Sequence, residues 1–179
     1  MNQPLFDVQT LIWLLPIMFI LHDFEEIIMY ESWMKKNSGK MISKLPKKLA
    51  NQISKHFSMT TAQMAAAVLL IFLIISSAAL LANQYVNDKP LANIHVFTVI
   101  ILTFFLHVFT HVGQSIFFRS VTPGVITSIF IVLPYSLITL YALLSVDIID
   151  WKTILKCLPF VLLVVPIVLL AHWFGKKIA

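Results

Sequence analysis

Charge is the scarcest property of this chain. Its 179 residues include 13 basic and 8 acidic side chains, and the resulting 12% charged content is about half that of water-soluble domains. With 59% apolar residues and a mean hydropathy of +0.90, the chain has too few polar groups to cover a soluble body of this size. A soluble fold is excluded. Glycine is nearly missing too: four glycines and no strict apolar/polar alternation argue against a membrane β-barrel, whose strands alternate lipid-facing and lumen-facing side chains. The single cysteine, Cys157, rules out an internal disulfide and reads as a small packing residue. What remains is an all-α, polytopic transmembrane helix bundle.

Long apolar stretches are what the chain does have. A hydrocarbon layer about 30 Å thick needs about 20 helical residues, and five stretches qualify: Thr10 to Tyr30, Met59 to Leu81, Leu91 to Phe118, Val125 to Ser145 and Ile154 to Trp173. The opening MNQPLFDVQT lacks the basic start and small-residue cleavage site of a signal peptide, so the first stretch is expected to remain as a span. Ten of the 13 basic residues fall at one set of ends: Lys35, Lys36, Lys40, Lys44, Lys47, Lys48, Lys55, Arg119, Lys176 and Lys177. The other three, Lys89, Lys152 and Lys156, sit beside Asp88, Asp147 and Asp150. This alternation predicts about five spans, with the N-terminus outside and the C-terminus inside. It also assigns the net charge of +5 to topology and anionic headgroups, not to nucleic acid.

Residues 31–58 form the only long loop, where lysines interleave with Trp33, Met34, Met41, Ile42, Leu45 and Phe57. A basic interfacial loop, broken at Pro46, is expected there, and it serves topology or lipid contact. Pro16, Pro134, Pro159 and Pro166 lie inside spans and predict kinks. Thr122-Pro123-Gly124 predicts a tight turn opening the fourth span. No internal repeat is visible, which counts against a repeat-built transporter.

The polar exceptions cluster in two spans. In His22-Asp23-Phe24-Glu25-Glu26 a helix places His22, Glu25 and Glu26 on one face, and His107 and His111 form a second stripe four residues apart. At about 1.5 Å of rise per residue, Glu26, Glu25 and His22 lie roughly 6, 7.5 and 12 Å deep, and His111 and His107 roughly 10 and 16 Å deep. The levels overlap. Gln63 on the second span reaches roughly the same layer, 7.5 Å deep, and is an accessory candidate with Asp23, which can orient a histidine from another helix.

A carboxylate in hydrocarbon costs a few kcal/mol. No Lys or Arg inside the spans offsets Glu25 and Glu26, so the compensation must be a proton, a charged histidine or a metal ion. Imidazoles and carboxylates together suit a divalent ion, zinc or iron, held by His22, Glu25, Glu26, His107 and His111, with one of the two glutamates as general base toward bound water. A proton relay or substrate-binding cluster without metal, and a merely interfacial set, are the alternatives. Paired carboxylates argue against a bis-histidine haem.

These residues resemble a family of bacterial integral membrane proteins named for an HXXEE motif, matched by His22, Glu25 and Glu26. The resemblance extends over most of the chain, taking in His107, His111 and the Thr122-Pro123-Gly124 turn followed by Thr127 and Pro134. It implies a multi-pass protein of the bacterial cytoplasmic membrane, in a family whose function is unassigned and for which metal-dependent activity is suspected. Gln63 stands where such a site would be expected to carry an acid.

The remaining polar residues have plainer readings. His56, His95 and His172 are expected at the interface, and Tyr30, Tyr135 and Tyr141 in belts or packing. Ser76, Ser77, Thr98, Thr103, Ser128 and Ser136 are expected to serve helix packing. The function expected is a metal-dependent membrane enzyme, a hydrolase or an oxidase, acting on a lipid or other hydrophobic substrate, with homo-oligomers allowed. The alternative is a small proton-coupled transporter or permease using the same cluster without metal.

Overall fold

In the computed structural model, residues 6–44, 46 and 58–179 are described, and among them there is no strand. Five helical rods account for the fold: α1 (Val8–Lys44), α2 (Thr61–Val86), α3 (Ile94–Phe118), α4 (Val125–Ser145) and α5 (Trp151–Ile178). The last four are long and apolar enough to cross a membrane, so the all-helical bundle expected from composition is the one observed.

α1 has the acids, yet it packs into the bundle and leaves an apolar face exposed. Trp13, Ile17, Leu21, Phe24 and Ile28 are all exposed and recur every three or four residues, forming one apolar stripe. The opposite face buries Leu11, Ile12, Leu15 and Phe19 and then, further along, His22 and Asp23. The helix continues past Tyr30 to Lys44, so the first half of the expected loop is helical, because Glu31 to Lys44 contains no proline and only one glycine to stop it. Lys47, Lys48, Lys55, His56, Phe57 and Leu45 lie outside the described residues.

Each rod begins on a cap. Asp7 accepts from the Thr10 amide at 2.9 Å, Asn93 from Val96 at 3.2 Å and Asp150 from Thr153 at 2.7 Å. Thr60 and Gln63 form a reciprocal capping box on α2. Beyond the apolar part of α1, Glu31 accepts from the Thr61 amide and hydroxyl at 2.7 and 2.9 Å and pairs with Lys35 at 2.6 Å. Lys35 and then the Thr61 donors hold its carboxyl below the usual range.

Packing leaves α5 at the edge. Only 11% of its most apolar stretch is buried, against 33–39% for α2, α3 and α4. It touches α2 through Gly175, where an added Cβ would run into the Gln63 carbonyl and stand 3.1 Å from Ala67. Gly175→Ala is expected to lower the thermal unfolding midpoint in detergent by several degrees, corresponding to about 1–3 kcal/mol of overpacking; an unchanged midpoint would mean that α5 shifts freely on α2.

The apolar core, including Ile12, Leu15, Phe97, Ile101, Val132 and Leu143, occupies the half of the bundle around the start of α1. Tyr135 on α4 ties in there, donating to the Leu11 carbonyl at 2.7 Å. The polar residues gather in the other half, toward the lysine-bearing end.

Candidate metal centre

The turn before α4 makes room for the centre. Thr122-Pro123-Gly124-Val125 closes through the Val125 amide on the Thr122 carbonyl at 3.2 Å, and Gly124 takes φ 81° and ψ −9°, the second corner of a type II turn with proline at the first. A Cβ on Gly124 would stand 2.6 Å from His111 Cε1 and 2.8 Å from Glu26 Oε1. Glycine is needed there both for its φ and for space. Just beyond, the helix widens over Ser128–Val132, with the Leu133 amide reaching back to Ser128, directly before Pro134, which has no N–H to offer.

Glu26 lies at the centre of the group. Its Oε1 is 3.0 Å from His111 Nε2, 3.9 Å from His22 Nε2 and 4.0 Å from His107 Nε2, and the last two belong to different helices. His107 and His111 Nε2 are 2.8 Å apart. One ligand atom from each of the four residues lies within 4.8 Å of all the others. Bonds of about 2.0–2.2 Å place tetrahedral ligand atoms about 3.3 Å apart, a length that these separations bracket.

Hydroxyl groups settle which ring nitrogens face the centre. Thr127 donates its one hydroxyl proton to Glu25 Oε2 at 2.6 Å, so toward His22 Nδ1, 2.9 Å away, it accepts. His22 therefore carries its proton on Nδ1 and aims the Nε2 lone pair at Glu26. Thr110 repeats the logic: it donates to the His107 carbonyl at 2.6 Å and accepts from His107 Nδ1 at 3.2 Å. Two imine nitrogens and a carboxylate oxygen thus converge with at most one proton, on His111, between them. His22 Nε2 is buried with no hydrogen-bond partner. Such a set of acceptors is what a cation fits.

Not every expected residue arrives. Glu25, expected as a ligand or base, is directed elsewhere: its carboxylate accepts from the Thr127 amide at 2.7 Å and the Ile126 amide at 3.3 Å, capping α4. The helical turn explains the split, because His22 and Glu26 are four residues apart and Glu25 is rotated about 100° from Glu26. Gln63 is used in the capping box of α2 and also stays out of the group. Asp23 does not orient a histidine; it is buried, with Oδ2 lacking a hydrogen-bond partner.

Beside the group lies a cavity of about 590 Å³ between α1, α2, α3 and α5, lined by His22, Asp23, Glu26, His107 and His111 together with many apolar side chains. His107 is the open ligand: its side chain is 41% exposed, against 1% for His22 and 5% for His111. His172, expected at the interface, is instead buried against this cavity. α5 continues to Ile178, which sets His172 about 9 Å inside the helix end. Thr127 and Gly124 are the functional positions that residue chemistry alone did not single out.

Residues 13–139 match the model of a family described as a protein of unknown function with HXXEE motif. The chain belongs to the HXXEE family. No curated protein and no solved structure matches it. In this HXXEE protein the motif divides its labour: His22 and Glu26 enter the centre, while Glu25 holds the turn that closes over it.

Proposed function

We propose that this HXXEE protein is a metal-dependent enzyme of the bacterial cytoplasmic membrane, acting on a lipid or other hydrophobic molecule. The observation that carries the reading is the convergence of His22, Glu26, His107 and His111 within 4.8 Å on the wall of an apolar cavity. A zinc or iron ion held there would supply a Lewis acid, and iron also redox chemistry. The chain's own residues provide the rest. Thr127 and Thr110 fix the tautomers of His22 and His107, Gly124 lets Glu26 approach His111, and apolar walls exclude water. The base expected of a glutamate falls to Asp23, the carboxylate on the cavity wall whose Oδ2 has no hydrogen-bond partner.

Elemental analysis of purified protein tests this directly. About one zinc or iron per chain is expected, with loss in His22→Ala and His111→Ala; a metal-free wild type that remains folded and takes up neither ion would overturn it. One observation favours the permease reading instead: a buried, partnerless Asp23 also suits proton transfer across a membrane. Proteoliposome flux that requires Asp23 but proceeds without metal would decide for it.

A further inference from the structure

We propose that the cavity takes one single-chain lipid with an uncharged, hydrogen-bond-donating head, seated with the head between the His/Glu centre and Asp23 and the tail toward Ile75, Ile100 and Val164. This rests on the metal-centre reading above and names the occupant of that site. Three features of the cavity lead to it.

The first is capacity. An apolar cavity of about 150 Å³ holds one benzene ring. By that measure about 590 Å³ accommodates roughly two dozen carbon-sized atoms, the size of one long acyl chain with a small head.

The second is polarity along its length. From Phe19 to Trp33 on α1 the wall extends about 21 Å. The end near Phe19 is walled by Ile71, Ile75, Ile100 and Val164, and the polar side chain at that level, Thr103, spends its hydroxyl proton on the Val99 carbonyl of its own helix at 2.8 Å. The middle carries the ligands and Asp23. Trp33 and Phe118 stack edge to face, 5.4 Å between centroids, at the lysine-bearing end. The Phe19 side is therefore the aliphatic end that suits a tail.

The third is charge. No Lys or Arg lines the cavity among the described residues, and the Glu26 carboxylate already faces it, so nothing there pairs with an anionic head. Burying an unbalanced charge in such walls is strongly disfavoured. Asp23 Oδ2, buried without a hydrogen-bond partner, calls for a donor from the occupant, which a hydroxyl supplies.

The test loads the protein with cobalt(II) in phosphatidylcholine nanodiscs and follows the ion's visible absorption while titrating monoolein, diolein or oleate. Monoolein is expected to shift the spectrum and saturate at one per chain, with diolein and oleate about tenfold weaker or worse. Asp23→Leu should keep its cobalt and weaken monoolein about tenfold. Ile100→Trp, filling the tail end, should shift preference from monoolein to a shorter monoacylglycerol. Equal response to diolein or oleate in the wild type, or monoolein affinity untouched by both substitutions, would overturn the proposal. Protein that folds but never loads cobalt refutes the metal centre and this occupant with it; loaded protein indifferent to monoolein refutes the occupant alone.

Discussion

Glu26→Gln should purify with less than about a hundredth of the wild-type metal affinity, whereas Glu25→Gln should lose about tenfold, the range seen for groups that act through a ligand. The contrast follows from where the two carboxylates lie. Glu26 Oε1 is 3.0 Å from His111 Nε2 and supplies the only negative charge among the four ligands, so an amide in its place leaves three neutral rings. Glu25 touches the centre only through Thr127 and His22. Stability should move the opposite way. Removing the Glu26 charge relieves buried acid and should leave metal-free protein as stable as wild type or more so. Removing the Glu25 charge weakens the cap of α4 by about 1 kcal/mol. Chelator competition and thermal unfolding of both variants check the two halves; equal metal loss in both would place Glu25 among the ligands.

Gly124→Ala should be nearly as severe as losing a ligand. The new methyl would stand 2.6 Å from the His111 ring and 2.8 Å from Glu26 Oε1, and alanine at a left-handed φ of 81° costs about 1–2 kcal/mol by itself. The ring and the carboxylate must separate, and their shared position is the centre. We expect metal binding to fall at least about a hundredfold and stability by about 2–3 kcal/mol. Gly113→Ala is the control, since a Cβ there meets nothing within 4 Å and alanine is the better helix former by about 1 kcal/mol. Metal binding by Gly124→Ala at wild-type strength would show that α4 can retreat without disturbing the ligands.

Much of the bundle was legible in the sequence because hydrocarbon leaves few options. Apolar length gave the helices, and the cost of buried acids pointed to His22, Glu26, His107 and His111. The depth estimate from rise per residue was enough to bring two helices to one level, since errors of a turn are small beside a side chain's reach. What escaped was decided by groups whose chemistry is ordinary. Glu25 and Glu26 are adjacent and identical, and only the position of α4 tells cap from ligand. Gly124 reads as a turn residue until the ring it faces is known. His172 was misplaced because the apolar stretch stops at Trp173 while the helix runs on through Lys176 and Lys177. Composition fades before backbone structure does.

The capping of α4 by α1 has a consequence for biogenesis. Glu25 and His22 find Thr127 more than a hundred residues downstream, 102 and 105 positions away, and at about 5–20 residues per second that partner emerges from the ribosome several seconds after they do. During that interval α1 presents Glu25, Glu26 and His22 without their final partners from α3 and α4. Its exposed apolar stripe can settle early, but the polar face settles only when the later helices arrive. α1 is thus made well before α4 yet reaches its final surroundings only with it, and the centre is complete only once α4 is in place.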